Sequence, residues 1–177
     1  MSINLYAYEY PEPLGHIGIA EKDGSIYRVL FNFRLKGTSW KDIYRMFSID
    51  INYLGQNLDV CETDVLKRAA KQIAEYLDGK RAAFDLPLTY TEYSFTKQVY
   101  DELLKIPVGQ TRSYRDIADA CGNPKAFRAV GSINNKNPIP IIIPCHRVVG
   151  SDGNLKGYAG GLPLKRYLLD LEKAYYA

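Results

Sequence analysis

Residues 113–134 read Ser-Tyr-Arg-Asp-Ile-Ala-Asp-Ala-Cys-Gly-Asn-Pro-Lys-Ala-Phe-Arg-Ala-Val-Gly-Ser-Ile-Asn, and this stretch decides the fold of the C-terminal half. Ser113 is placed to cap a helix over Tyr114 to Cys121, with Asp116 three residues on completing a capping box. Tyr114, Ile117, Ala118 and Cys121 recur at helical spacing and form its apolar face. Gly122 ends that helix, and Asn123-Pro124 opens the next in the order cap then N1 proline. Two short helices joined by a tight Gly-Asn-Pro turn are the signature of a helix-turn-helix, although an αα-hairpin inside a core reads the same way. Lys125, Arg128 and Lys136 around the second helix favour the former, since cations supply phosphate attraction. Ala126, Ala129, Gly131 and Ser132 keep its surface small enough for a close approach to a groove. Taken alone, the motif predicts reading of the major groove.

Downstream, Pro138-Ile-Pro-Ile-Ile-Ile-Pro144 reads as a short, buried apolar strand that delivers Cys145-His146-Arg147 at its end. Ser151-Asp152-Gly153 is a turn and Gly157-Tyr-Ala-Gly-Gly161 a glycine-rich loop. Pro163 opens a last helix with an apolar stripe of Leu164, Tyr167, Leu168 and Leu171, and Glu172 falls on the edge of that stripe. A carboxylate in such a place needs a partner. Upstream, Ser94 is read as the cap of a helix bearing Phe95, Val99 and Leu103, broken by Pro107-Val108-Gly109.

The first third reads as β. Ile17 and Ile19 alternate with small or polar residues, Lys22-Asp23-Gly24 turns the chain, and Ile26 to Phe33 returns it. Further strands are expected in 1–10 and around 49–54. Residues 64–78 form a helix, with Leu66, Ala69, Ala70, Ile73 and Leu77 on one face, Thr63 or Asp64 as cap and Gly79 as stop. Phe84 to Leu88 is read as a strand and Thr89 to Tyr93 as a linker, which divides the chain into an α/β domain, 1–88, and a mostly helical domain, 89–177.

The 177 residues are 46% hydrophobic and 24% charged, the composition of a soluble globular protein. No apolar run nears the roughly 18 residues of a membrane span, and acidic Glu9 in an N-terminus without a basic stretch speaks against a signal peptide. Residues 1–93 carry 11 Lys/Arg against 13 Asp/Glu, a net of −2, whereas 94–177 carry 12 against 7, a net of +5. The polyanion-facing part is therefore the C-terminal half. Three scattered cysteines make no disulfide framework and suit a reducing compartment.

Cys61 and Cys121 read as small core hydrophobes. Cys145 differs, because it follows a proline and adjoins His146 and Arg147, which are expected to lower its pKa toward thiolate. On a flat strand Cys145 and His146 would point to opposite faces, so their pairing needs a bend after Pro144 or one bridging water. Glu172 is the natural third member, orienting the imidazole. His16 is read as structural or exposed. Two histidines and three cysteines without metal-ligand spacing argue against zinc.

Gly122-Asn-Pro-Lys-Ala-Phe-Arg-Ala-Val-Gly131, Asn137-Pro138, Ile143-Pro-Cys-His-Arg-Val148 and Gly157-Tyr-Ala-Gly-Gly161 together resemble the O6-alkylguanine-DNA alkyltransferase (methylated-DNA–protein-cysteine methyltransferase) family. The resemblance is dense over about 94–173, and Tyr76-Leu-Asp-Gly79 with Phe84 and Pro87 is similar to the family's N-terminal domain, which implies a ribonuclease H-like α/β unit. It implies that Cys145 accepts the alkyl group, that His146 and Glu172 activate it, and that Asn137 holds the active-site turn. Tyr114 is similar to the family tyrosine that donates toward guanine N3, and Arg128 to the finger that fills the stack once the base has flipped out. Ala126, Ala129, Gly131 and Lys125 would meet DNA, in the minor groove rather than the major. Val148, Tyr158, Ala159 and Gly160 would line the base pocket. The resemblance further implies a DNA repair protein acting once on double-stranded DNA containing O6-alkylguanine, as a monomer in the cytoplasm (the nucleus in a eukaryote), with no cofactor and no membrane partner. Neither a structural zinc nor an added N-terminal repair or regulatory module is expected. Phe127 departs from the pattern, since a small residue is usual there. The alternatives are a non-catalytic alkyl-lesion recognition protein, a papain-like hydrolase and a helix-turn-helix regulator. Cys145 argues against the first, and the other two would show turnover or no covalent chemistry.

Overall fold

The computed structural model describes residues 2–33, 57–90 and 93–176. The strand expected around 49–54 lies outside these. Two compact units emerge: Met1–Ala74 with Asp85–Thr89, and Glu75–Phe84 with Tyr90–Ala177.

The first unit holds strands β1 (Ser2–Glu9), β2 (His16–Lys22), β3 (Ser25–Phe31) and β4 (Asn57–Val60) in the order β3-β2-β1-β4. β1 pairs antiparallel with β2 (Leu5↔Ala20) and parallel with β4 (Leu5↔Val60). The β2–β3 hairpin closes through Asp23 and Gly24 at φ 50° and 79°, the left-handed pair that a two-residue turn requires. Ile3, Leu5, Ala20 and Phe33 form a core cluster. Gly18 serves that packing, because a Cβ there would meet the Phe33 ring at 2.5 Å. Buried Glu21 is satisfied by Asn4 Nδ2 at 2.5 Å and by the Gly24 amide at 2.7 Å. Helix α1 (Asp64–Leu77) buries Leu66, Ala69 and Ile73 of its expected apolar face and leaves Ala70 and Leu77 half-buried. Its ladder starts from the Thr63 carbonyl, while the Thr63 hydroxyl takes no partner, so the side-chain cap expected there does not form. Phe84–Leu88 is not a strand. Pro87 has no N–H to donate, and only a Leu88–Ile26 bridge forms.

The second unit is mostly helical: α2 (Ser94–Leu104), α3 (Tyr114–Ala120), α4 (Phe127–Asn135) and α5 (Gly161–Tyr176), with a two-stranded parallel pair of β5 (Arg112–Ser113) and β6 (Val148–Val149). Ser94 is the first helical residue of α2 and not its cap; Tyr93 occupies the cap position, and its side chain makes no capping hydrogen bond. The capping box at α3 forms in both directions, Asp116 N to Ser113 Oγ at 3.1 Å and Ser113 N to Asp116 Oδ2 at 2.7 Å. Asn123-Pro124 opens a 3-10 turn over Pro124–Ala126, and α4 begins only at Phe127. No helix is long and apolar enough to cross a membrane among the described residues.

Candidate active site

The segment 138–144 is buried but is not a strand. Proline at 138, 140 and 144 removes three ladder donors, and Ile141 takes φ 74°, a left-handed value rare for a β-branched residue. Such a conformation persists only where neighbours hold it. Here the Ile143 amide bonds the Ile139 carbonyl at 2.9 Å. Buried Asn137 clamps both ends, donating from Nδ2 to the Ile143 carbonyl at 2.8 Å and accepting the Ile139 amide at 3.0 Å. The chain then enters a 3-10 turn, Cys145–Arg147, closed by the Arg147 amide on the Pro144 carbonyl at 3.0 Å. The chain therefore does bend after Pro144, one of the two routes to a Cys145–His146 pairing, the other being a bridging water. It buries Cys145, His146 and Arg147 together.

Glu172, on α5, is fully buried and fully partnered. Its Oε1 faces His146 Nε2 at 2.8 Å and accepts from Arg147 Nη2 at 2.9 Å and from the Tyr76 hydroxyl at 2.7 Å. Its Oε2 accepts the Gly109 amide at 3.0 Å, and Arg147 Nε reaches both oxygens at 3.0 Å. Burial alone would raise this carboxyl, but His146 and Arg147 overturn it and hold Glu172 at about 2. An ionised carboxylate against Nε2 selects the tautomer with hydrogen on Nε2, which leaves Nδ1 as an acceptor. Nδ1 is buried and without a protein partner among the described residues.

One expectation fails here. Burial pushes the Cys145 thiol up to about 11, and the groups that oppose burial are the Asn137 amide and the Lys165 ammonium. His146 and Arg147 do not lower it as the sequence suggested. Arg147 is committed to Glu172, and burial holds His146 below its ordinary range and so neutral near pH 7. The resting pair is thiol and imidazole.

Lys165 is a further residue of the site, hidden in the sequence within an amphipathic helix. It is fully buried; its Nζ donates to the Val148 carbonyl at 2.7 Å and the Lys156 carbonyl at 2.9 Å, and it lies 6.0 Å from the centre of the Tyr114 ring. Burial lowers it to about 8. Burial, followed by the Cys145 charge, raises Tyr114 above its ordinary value. Tyr158 sets its ring edge-on to His146, centroids 6.3 Å apart. Ala159 and Gly160 continue the loop that the Gly161 amide closes on the Tyr158 carbonyl at 2.9 Å. A cavity of about 200 Å³ brings Tyr114 and Gly131 together with Phe127, Asn135, Lys156 and Gly157. Val148, Tyr158, Ala159 and Gly160 are not in its lining.

On the helix-turn-helix, Lys125, Arg128, Ala129, Ser132 and Lys136 are exposed and Ala126 half-buried, so the face read as a groove reader is open. Cys61 is exposed and Cys121 half-buried at the end of α3, so neither is the core residue expected. His16 begins β2, its carbonyl holding the Phe33 amide at 3.1 Å.

A buried thiol thus shares a turn with a histidine paired to a buried glutamate, in the same unit as a helix-turn-helix with exposed cations. The chain matches the 6-O-methylguanine DNA methyltransferase ribonuclease-like domain over residues 5–90 and the DNA binding domain of the same family over 94–174. It is 41% identical over 165 residues to the constitutive methylated-DNA–protein-cysteine methyltransferase of Bacillus subtilis, covering 93% of each chain. It is 53% identical over 107 residues to the corresponding protein of Methanosarcina barkeri, covering 60% of this chain and 68% of that one. Its fold matches the crystal structure of Mycobacterium tuberculosis OGT in complex with DNA at a TM-score of 0.77 and 35% identity, over 97% of this chain and 94% of that one. The chain belongs to the 6-O-methylguanine DNA methyltransferase family.

Proposed function

We propose that the chain repairs double-stranded DNA by moving the alkyl group of O6-alkylguanine irreversibly onto Cys145 Sγ, its 89–177 domain carrying the chemistry. The observation that carries this is buried His146, fixed by Glu172 at Nε2 and open at Nδ1, in the same turn as buried Cys145. The thiol proton passes to His146 Nδ1, directly or through one water, and Glu172 stabilises the imidazolium that forms. Sγ attacks the alkyl carbon, the S–C bond forms and the C–O6 bond breaks, with the electron pair going to guanine. Tyr114 donates toward guanine N3 and relieves the charge that develops there. In sum, a proton replaces the alkyl group on guanine, and the thioether has no route back to a thiol.

A thiol this deeply buried cannot reach O6 inside a stack, so the base must flip out. The second helix, with Ala126, Ala129, Gly131 and Lys125, enters the minor groove, and Arg128 fills the gap. Val148, Tyr158, Ala159 and Gly160 border the flipped base. Lys165 joins Lys156, just before the glycine loop, to Val148 and keeps a cation near Cys145. One chain supplies every group this chemistry uses, which supports a monomer acting where the DNA is, without a cofactor. Titrating the protein with an excess of O6-methylguanine duplex tests the reading: repair stops at one lesion per chain, whereas continued turnover contradicts it.

A further inference from the structure

Phe127 is the one large apolar side chain of α4 that packing does not explain. It is 38% exposed, on a helix whose buried side chains are Val130 and Asn134. Two guanidinium groups lie close to its ring, Arg115 from α3 with Cζ 5.9 Å from the centroid and Arg128 from α4 at 5.8 Å. Both fall within the roughly 6 Å over which a cation is drawn to an aromatic face. Among the described residues neither guanidinium is held by a hydrogen bond or an ion pair, so the ring is the group that fixes them. The same ring lines the small cavity with Tyr114 and Gly131.

We infer that Phe127 is a positioning residue for Arg128, holding its guanidinium on the aromatic face in the direction from which it enters the duplex. An arginine on an exposed helix face otherwise samples many rotamers, and fixing it on arrival at DNA costs conformational entropy. A ring that pre-orders the side chain removes part of that cost before binding, and the attraction strengthens as docking excludes water. Arg115, at a similar distance from the centroid, is drawn to the same ring. The inference rests on the reading of Arg128 as the group that fills the stack.

The test compares single-turnover alkyl transfer from an O6-methylguanine duplex with transfer from free O6-methylguanine base, which needs no flipping. Phe127→Leu keeps an apolar side chain with strong helix propensity but removes the aromatic face. It lowers the ratio of duplex to free-base rates roughly fivefold, the size of a cation–π contact. Phe127→Tyr restores the ratio, which a bare need for volume would not distinguish from leucine. In an Arg128→Ala background, Phe127→Leu has no further effect on the ratio. An unchanged ratio in Phe127→Leu, a tyrosine variant as slow as the leucine one, or additive losses in the double variant would each overturn the inference. Arg128→Ala alone reports separately: if it leaves the ratio intact, the finger reading itself fails, whatever Phe127 does.

Discussion

Arg147 and Glu172 form a buried ion pair in which Nε bridges both carboxylate oxygens at 3.0 Å and Nη2 reaches Oε1 at 2.9 Å. The pair locks α5 to the turn that carries Cys145, and the remaining donor Nη1 bonds the Ile106 carbonyl at 2.6 Å. Removing one partner strands the other charge in the interior. Glu172→Gln therefore destabilises the protein by about 3–5 kcal/mol and slows transfer, read by urea denaturation and single-turnover kinetics. A stability change within error contradicts it.

The same pair sets an acid limit. Glu172 is held at about 2 in the folded state, below the ordinary carboxylate range. A depressed folded pKa gives stability that is present above the unfolded value and lost as pH falls toward the folded one. Unfolding free energy should decline between about pH 4.5 and 2 and decline less in Glu172→Gln. Parallel curves for the two proteins count against this assignment.

Tyr76 donates to Glu172 at 2.7 Å and lies 3.4 Å from His146 Nε2, fully buried. Tyr76→Phe keeps the ring and deletes the donor. A hydrogen bond to a buried carboxylate contributes about 1.5–3 kcal/mol, and the melting temperature should fall accordingly. With one donor fewer, Glu172 is a better base toward His146, so the acid limb of the transfer rate shifts to higher pH. An unmoved pH profile would show that Tyr76 is structural only.

Lys165 loses its proton near pH 8, where burial places it. Its charge favours ionisation of Cys145, so loss of the charge disfavours the thiolate. Transfer rates should fall as pH rises through about 8, before the thiol itself ionises near 11. Lys165→Met should be slower at pH 7 and lack that limb. A rate that climbs steadily from pH 7 to 10 contradicts the assignment.

Asn137→Ala strands the Ile139 amide and the Ile143 carbonyl inside the turn, each costing about 1–3 kcal/mol. With Ile141 already at φ 74°, the turn has little else to hold it. Both stability, by thermal melting, and transfer should fall; Asn137→Asp, which keeps the acceptor, should recover part of the stability.

What the sequence disclosed was local. Ser113 and Asp116 specify their capping box within three residues, and Asp23-Gly24 specifies its hairpin in two. The hydrophobicity of 138–144 is that of a buried strand, but its three prolines remove the ladder donors a strand needs. Arg147 was visible beside Cys145, but its partner lies 25 residues on, and only the fold shows that its charge is spent on Glu172. Tyr76 is 96 residues from Glu172, beyond any periodic signal. Lys165 sits at a helix position whose burial follows from packing, and an orphan lysine on the stripe of Leu164 and Leu168 was the clue that could have found it. Gly131 is open rather than obligatory, since a Cβ there would rest 3.8 Å from Tyr114, and its smallness serves the cavity.

The central claim is that Cys145 is the acceptor. Intact-mass measurement after incubation with an O6-methylguanine duplex, followed by peptide mapping, tests it most directly. The account predicts one methyl per chain, on Cys145, absent from Cys145→Ala and accompanied by restored guanine. A methyl on Cys61 or Cys121, or unmodified protein beside repaired DNA, would contradict it.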